Sequence, residues 1–300
     1  MAGRNRIING GMDVWQRGTS VSASSSNITY TADRFAARPN SSTNTTVSRS
    51  TSAPEGFSYS ALITRDSGQT GTLTRFQTAL ETIDMACLRG RVVTLSFYAK
   101  ADSGYTTASS SLPVVLYVGN GTERLRAITS YDNQTTPISD SVTLTASWQR
   151  FTLTSTTLPS DLSQLTVAFE PAWSGTAPSN DGFFITGVQL EVGSVATPFE
   201  HRQYGQELAL AQRYFVNGVV NVGYLFGSAS HPAARTAIVE PLSTVMRASP
   251  TVTATFSNYD NAANGGIGAN TRRIVAYGTL ASSSVAYFYA QWVYQATAEL

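Results

Sequence analysis

The sequence predicts an all-β protein in two parts: an N-terminal jelly-roll β-sandwich, a short linking helix and a smaller C-terminal β domain. Three observations carry this. Short apolar/polar alternations recur along most of the 300 residues, separated by Gly, Pro, Asn and Ser turns. Only 13% of residues are charged, against about 25% in average globular chains, and Ser, Thr, Asn and Gly take up the difference. Thr suits a half-buried pleated surface, and a polar surface with few charges suits stacking against neighbours because few charges need desolvating. One segment alone breaks the period of two.

The strands follow in order. In Val92–Lys100, Val93, Leu95, Phe97 and Ala99 share one face. Val114–Val118 is continuously apolar, as expected of a strand covered on both sides. Ser141–Thr145, Trp148–Thr154, Leu165–Phe169 and Phe183–Leu190 complete the first half. Many short strands at this spacing argue for a sandwich or jelly roll over residues 1–205. The exception is Glu207–Phe215, where Leu208, Ala211 and Phe215 fall on one helical face and Gly218 suits a left-handed cap. It predicts a linking helix over 206–217, leaving 218–300 as a second β domain. There Thr251–Phe256 alternates, and the Gly/Asn-rich Asn258–Asn270 reads as an exposed loop. Val285–Ala296 carries apolar residues on both faces, which predicts that copies of the chain cover one of them.

Catalytic chemistry is sparse. No P-loop, dinucleotide fingerprint, HExxH or G-x-S-x-G motif occurs. His201 and His231 are the two histidines, and Cys87 stands alone, so neither a disulfide framework nor a Cys-based zinc site is expected. Glu191, Glu200 and Glu207 cluster in sequence, as do Glu81 and Asp84, but strand-end hydrogen bonding explains them more simply than a glycosidase pair. Asp132-Asn133 and Asn180-Asp181-Gly182 are oxygen-rich loops without EF-hand spacing. The expectation is a protein without catalytic residues, cofactor or metal. A net charge of +1 removes the footprint of nucleic-acid binding. No apolar run approaches the roughly 20 residues of a membrane span, and the first ten residues lack a signal-peptide core. Lys100 is the lone lysine among the basic residues, the rest being Arg, which tolerates interfaces better; genomic base composition explains this equally well.

A sugar-binding sandwich works through exposed rings that stack on a pyranose. Trp173, in Pro171-Ala172-Trp173-Ser174-Gly175, is the foremost candidate, with Tyr105 and Tyr131 as further loop aromatics; the competing reading is a Trp173 tucked back over the sandwich edge. Trp15 and Trp148 lie in strand-like apolar contexts and read as core.

Several ordered motifs agree with one another. Arg6-Ile7-Ile8-Asn9-Gly10-Gly11-Met12-Asp13-Val14-Trp15-Gln16-Arg17-Gly18-Thr19 precedes Tyr30-Thr31-Ala32-Asp33-Arg34-Phe35, and much later come Gly187-Val188-Gln189-Leu190-Glu191-Val192-Gly193, Ala196-Thr197-Pro198-Phe199-Glu200 and Glu207–Phe215. Over roughly residues 4–216 this resembles tailed-bacteriophage and prophage virion appendage proteins (tail fibres, spikes or head fibres) whose first domain is similar to jelly-roll carbohydrate-binding modules. Leu88-Arg89-Gly90 and Ser147-Trp148-Gln149-Arg150 also fit the module pattern, and Met246–Thr251 resembles a segment common in such fibres.

The resemblance implies a structural virion protein, a homotrimer, that contacts other virion proteins and attaches to host-surface polysaccharide. The alternative it leaves open is an architectural decoration or adaptor protein binding virion proteins alone. Because the motif begins at residue 4, without a preceding shaft, anchoring is expected from the second domain, from a face of the first, or from an adaptor. Asp33-Arg34 is expected to form an ion pair, with Gln189 and Glu191 serving strand-end hydrogen bonds.

Overall fold

The computed structural model describes residues 3–24, 27–40, 43–126, 130–225, 235–260, 262–280 and 287–300. The chain divides into two compact units, the first running to Glu207 and including Leu300, the second Leu208–Glu299.

Among its described residues the first unit holds twelve strands: β1 (Ser20–Ala23), β2 (Thr29–Tyr30), β3 (Phe35–Pro39), β4 (Thr45–Ser50), β5 (Ser60–Arg65), β6 (Thr74–Ala79), β7 (Val93–Ala101), β8 (Ser111–Asn120), β9 (Asp132–Thr143), β10 (Gln149–Thr154), β11 (Gln164–Phe169) and β12 (Asp181–Val192). They form two six-stranded antiparallel sheets, ordered β1-β4-β5-β12-β7-β10 and β2-β3-β6-β11-β8-β9. This is the expected sandwich. Inward residues from both sheets build one core, in which Phe97 stacks edge-on against Phe169 at 5.0 Å. Val93, Leu95, Phe97 and Ala99 are all fully buried, as the alternation of β7 predicts. The continuously apolar β8 is indeed covered twice: Val114, Leu116 and Val118 face the main core, while Val115 and Tyr117 pack with Tyr131 and Ala168.

A buried polar network closes one end of the sandwich. Arg65 and Asp181 have fully buried side chains and meet at 2.7 Å. The oxygen-rich turn at Asn180-Asp181-Gly182 therefore serves an internal ion pair. Asp33 pairs with Arg17 at 3.4 Å and accepts hydrogen bonds from Gln16, while Arg34, at φ +69°, donates to the carbonyl of Ala79. Gln189 donates to Glu191 at 2.9 Å and accepts from the backbone N–H of Glu200 at 2.8 Å, which is the strand-end role expected of it.

The helix α1 spans Tyr204–Gln212, shorter and earlier than 206–217, because Phe215 and Val216 already belong to a strand. In the second unit β13 (Phe215–Leu225), β14 (Arg235–Pro241), β15 (Thr251–Asp260), β16 (Ala262–Asn270), β17 (Arg273–Leu280) and β18 (Tyr287–Thr297) form two three-stranded sheets, β13-β18-β15 and β14-β17-β16. Gly218 is not a helix cap but a strand residue, where a Cβ would lie 2.7 Å from the Tyr294 hydroxyl.

The Gly/Asn-rich stretch expected as a loop is instead the end of β15 and all of β16 within the described residues. A Cβ on Gly265 would come within 2.7 Å of the Trp292 ring, so glycine here makes room for a core indole, which the composition alone mimics as a loop. Ala290, Trp292, Tyr294 and Ala296 of β18 are buried in this unit's core. On the opposite face of β18, Gln291, Val293 and Gln295 are the positions whose side chains are described. Val285 and Ala286 lie outside the described residues, and so does His231.

Candidate functional site

The three aromatic residues expected to stack on sugar belong to the sandwich interior. Trp173 is 3% exposed. Its indole N–H donates to Thr74 Oγ1 at 3.2 Å, its ring meets Tyr105 edge-on at 5.5 Å, and the Arg65 guanidinium lies 5.7 Å from it. The loop carrying it is pinned, through Ala172 bridging to Leu73 and Trp173 N–H donating to Thr72 O, so the indole plugs the end of the sandwich. Tyr105 packs against the same core and donates its hydroxyl to Ser111 O at 2.9 Å; burial pushes that phenol well above its usual range. Tyr131 is also buried, its hydroxyl held by Arg124 O and Thr166 Oγ1, and burial pushes it up to about 12. Trp173 and Tyr131 are thus buried, and Tyr105 is partly buried against the core.

A different set of rings lies outside that core. On β7 the residues between the core positions, Ser96, Tyr98 and Lys100, point to the outer face of the first sheet. The registers of β10, β7 and β12 place Arg150 beside Tyr98 and Tyr98 beside Thr186, with Lys100 beside Phe184 one step along. Trp148, just before β10, completes the second row: its ring lies 6.2 Å from Phe184, edge to face, with Lys100 Nζ 5.5 Å from Trp148 and 4.6 Å from Phe184. Contrary to the expectation that Trp148 is core, it is half-buried on this outer face.

The segment before β5 turns back over the same surface. Phe57 stacks on Tyr98 at 5.3 Å and on Phe199 at 5.0 Å, and Phe199 meets His201 at 4.8 Å. This packing depends on Gly187, at φ +63° in the bulge of β12, where a Cβ would lie 2.7 Å from the Phe57 ring. Between this aromatic cap and Trp148 an open depression of about 630 Å³ remains, lined by Ala53, Pro54, Glu55, Gly56, Tyr98 and Trp148. Its volume falls within the range of sites for small molecules. Two ring systems, a carboxylate at Glu55 and the nearby cations Lys100 and Arg150 give it the mix that pyranose recognition needs: apolar faces for the C–H surface, polar groups for the hydroxyls. Arg150 is held in place by Ser96 Oγ at 3.2 Å and by Thr197 O.

Comparisons with known proteins bear on the sandwich. No known protein-family profile matches the chain, and no curated protein sequence does. Among solved structures it is similar to a family 4 carbohydrate-binding module, at 21% identity over 62% of this chain and 98% of that one, with a TM-score of 0.35. The C-terminal family 22 carbohydrate-binding module of Clostridium thermocellum Xyn10B aligns at 16% identity over 66% of this chain and 99% of that one, with a TM-score of 0.37. The enzymatically active domain of bacteriophage CBA120 tailspike protein 4 aligns at 16% identity over 63% of this chain but only 22% of that one, with a TM-score of 0.36. At these TM-scores the likeness is distant.

The carboxylates that sequence proximity grouped are committed elsewhere. Glu191 accepts from Thr197 N–H and Oγ1 at 2.9 and 2.7 Å, and Glu207 accepts from Arg202 at 3.1 Å. Glu200 accepts from Asn5 N–H at 2.7 Å; burial alone would raise its carboxyl, but the backbone N–H donors of Asn5 and Arg4 and the Arg202 and Arg4 charges hold it below its usual range. Among the described residues no three His, Cys, Asp or Glu side chains converge to hold a metal ion.

Proposed function

We propose that the chain is a non-enzymatic virion-surface protein of a tailed phage that attaches to host-surface glycan through the Trp148–Tyr98 groove. The observation that supports this most directly is the groove itself: half-buried rings on an outer sheet face, beside polar groups and open to solvent. The virion setting rests on the motif resemblance over residues 4–216. The test is adsorption of the whole chain to host cells and to a glycan array, with Trp148→Ala beside it. Loss of one stacking anchor should weaken binding on the order of tenfold or more. Unchanged binding by a folded Trp148→Ala protein refutes the groove.

The second reading, an architectural protein that binds copies of itself and other virion proteins, is favoured by one feature of the second unit. Asn217, Val219, Asn221, Thr251, Thr253, Thr255, Gln291, Val293 and Gln295 are outward positions of sheet β13-β18-β15 whose side chains are described, and none of these nine is charged, with Val219 and Val293 nearly half exposed. Little desolvation opposes burying such a face against another copy. A wild-type chain that forms a stable trimer in solution yet binds no host glycan supports this reading over the first.

A further inference from the structure

The first unit holds a second cavity of about 600 Å³ that shares no lining residue with the Trp148–Tyr98 groove. Its wall comes from the start of the chain (Gly3, Arg4, Arg6), the segment before β7 (Cys87, Arg91), the end of β12 (Glu191, Val192) and the crossing segment (Thr197, Glu200). Three arginines and two glutamates thus line it. Their charges do not simply cancel. Both Glu191 oxygens are taken up by Gln189 and Thr197, and Glu200 is bound by the Asn5 N–H with Arg202 3.9 Å away.

Arg6 and Arg91 are less committed. Arg6 ties its backbone N–H to Leu190 O, yet its side-chain Nε is buried without an acceptor among the described residues. Arg91 is exposed and makes no ion pair among the described residues. A buried guanidinium N–H without an acceptor is unfavourable, and the planar fork of Arg is matched by the paired oxygens of a carboxylate or phosphate. Val192, 44% exposed, adds an apolar wall.

We propose that this cavity binds the acidic residue of a glycan: a sugar ring bearing a carboxylate or phosphate, its anionic group between Arg6 and Arg91 and its ring against Val192. The site stands on its own geometry and does not require sugar in the Trp148–Tyr98 groove.

Cys87, the one cysteine of the chain, lines the cavity and reports on it. The experiment follows alkylation of Cys87 in the whole chain by N-ethylmaleimide, a neutral reagent, against glucuronate, glucose 6-phosphate or glucose at constant ionic strength. Saturable slowing by glucuronate or glucose 6-phosphate, with none by glucose, is expected, and which of the two acts more strongly separates carboxylate from phosphate. Removing one charge-assisted donor in Arg91→Gln or Arg6→Gln should raise the half-protecting concentration roughly tenfold, while Arg272→Gln in the second unit should leave it unchanged. If Arg6→Gln does not fold, the exposed Arg91→Gln carries the comparison. No saturable protection by either anion, equal protection by glucose, or wild-type protection in Arg91→Gln overturns the proposal, whatever Trp148→Ala does to adsorption.

Discussion

Replacing Arg65 with Met should cost the first unit several kcal/mol, and the structure shows why. The guanidinium has five N–H donors, and all of them are used. Nε donates to Asp181 at 2.7 Å; Nη1 donates to Gly71 O and Gly175 O at 2.9 and 3.0 Å; Nη2 donates to Ser174 O and Thr106 Oγ1 at 3.0 and 3.2 Å. Asp181 is completed by Thr106 N–H at 2.8 Å. Met retains much of the volume but strands three backbone carbonyls and a buried carboxylate. Breaking a buried pair from one side costs about 3–5 kcal/mol. For a unit of this size that lowers Tm by roughly 6–20 °C. Urea unfolding followed by tryptophan fluorescence is the suitable assay, because Trp173 lies 5.7 Å from the guanidinium. The double variant Arg65→Met/Asp181→Leu should recover part of the loss, since the stranded charge goes with its partner. Loss below about 1 kcal/mol in Arg65→Met, with an unchanged m-value, would refute the view that this network closes the end of the sandwich.

Three further outcomes follow from the same contacts. Trp173→Ala should destabilise the first unit by about 3–5 kcal/mol while the folded fraction adsorbs to glycan as wild type does, read by denaturation and adsorption on one preparation. Gly187→Ala should cost about 1–3 kcal/mol, because φ is +63° and the new Cβ would meet Phe57 at 2.7 Å and Tyr98 at 2.9 Å; it should also weaken any ligand held on Tyr98, measured by calorimetry. Asp13 has its carboxyl raised by burial and by the Glu207 charge, with His201 acting the other way. The folded state thus holds that proton more tightly than the unfolded state, so Asp13 costs stability as pH rises past its ordinary value. Asp13→Asn should therefore raise Tm at neutral pH and leave it little changed in acid, which a pH series of thermal melts will show.

The sandwich was legible because its strands obey the period of two where one side meets a core. Val93, Leu95, Phe97 and Ala99 needed no tertiary information to be placed on one face. The second unit was less legible, for a reason specific to glycine. Gly265 and Gly266 carry no side chain to alternate, so a strand whose role is to admit the rings of Trp292 and Tyr277 has the composition of a loop. The helix end was misplaced for a related reason: Phe215 continues the helical stripe, yet its backbone pairs with Thr297 in β18, a partner 82 residues away that no local pattern announces.

The tryptophans show where sequence reasoning about the site parted from the structure. Trp173, the foremost candidate for an exposed ring, is the one tucked over the sandwich edge, while Trp148, expected in the core, is half-buried on the outer face. The signal for Trp148 was present in its parity. Phe151 and Leu153 face the core, so Arg150, Thr152 and Thr154 face outward, and Trp148 is in phase with the polar set. A lone aromatic in the polar phase of an otherwise regular strand must either be covered by another segment or stay open to a ligand. Here Lys100 and Phe184 flank the indole while the Ala53–Gly56 turn stands across the depression. For Trp173 no comparable signal existed. Its burial depends on Arg65 and Thr74, more than 95 residues earlier in the chain, and only the closed sandwich brings them to it.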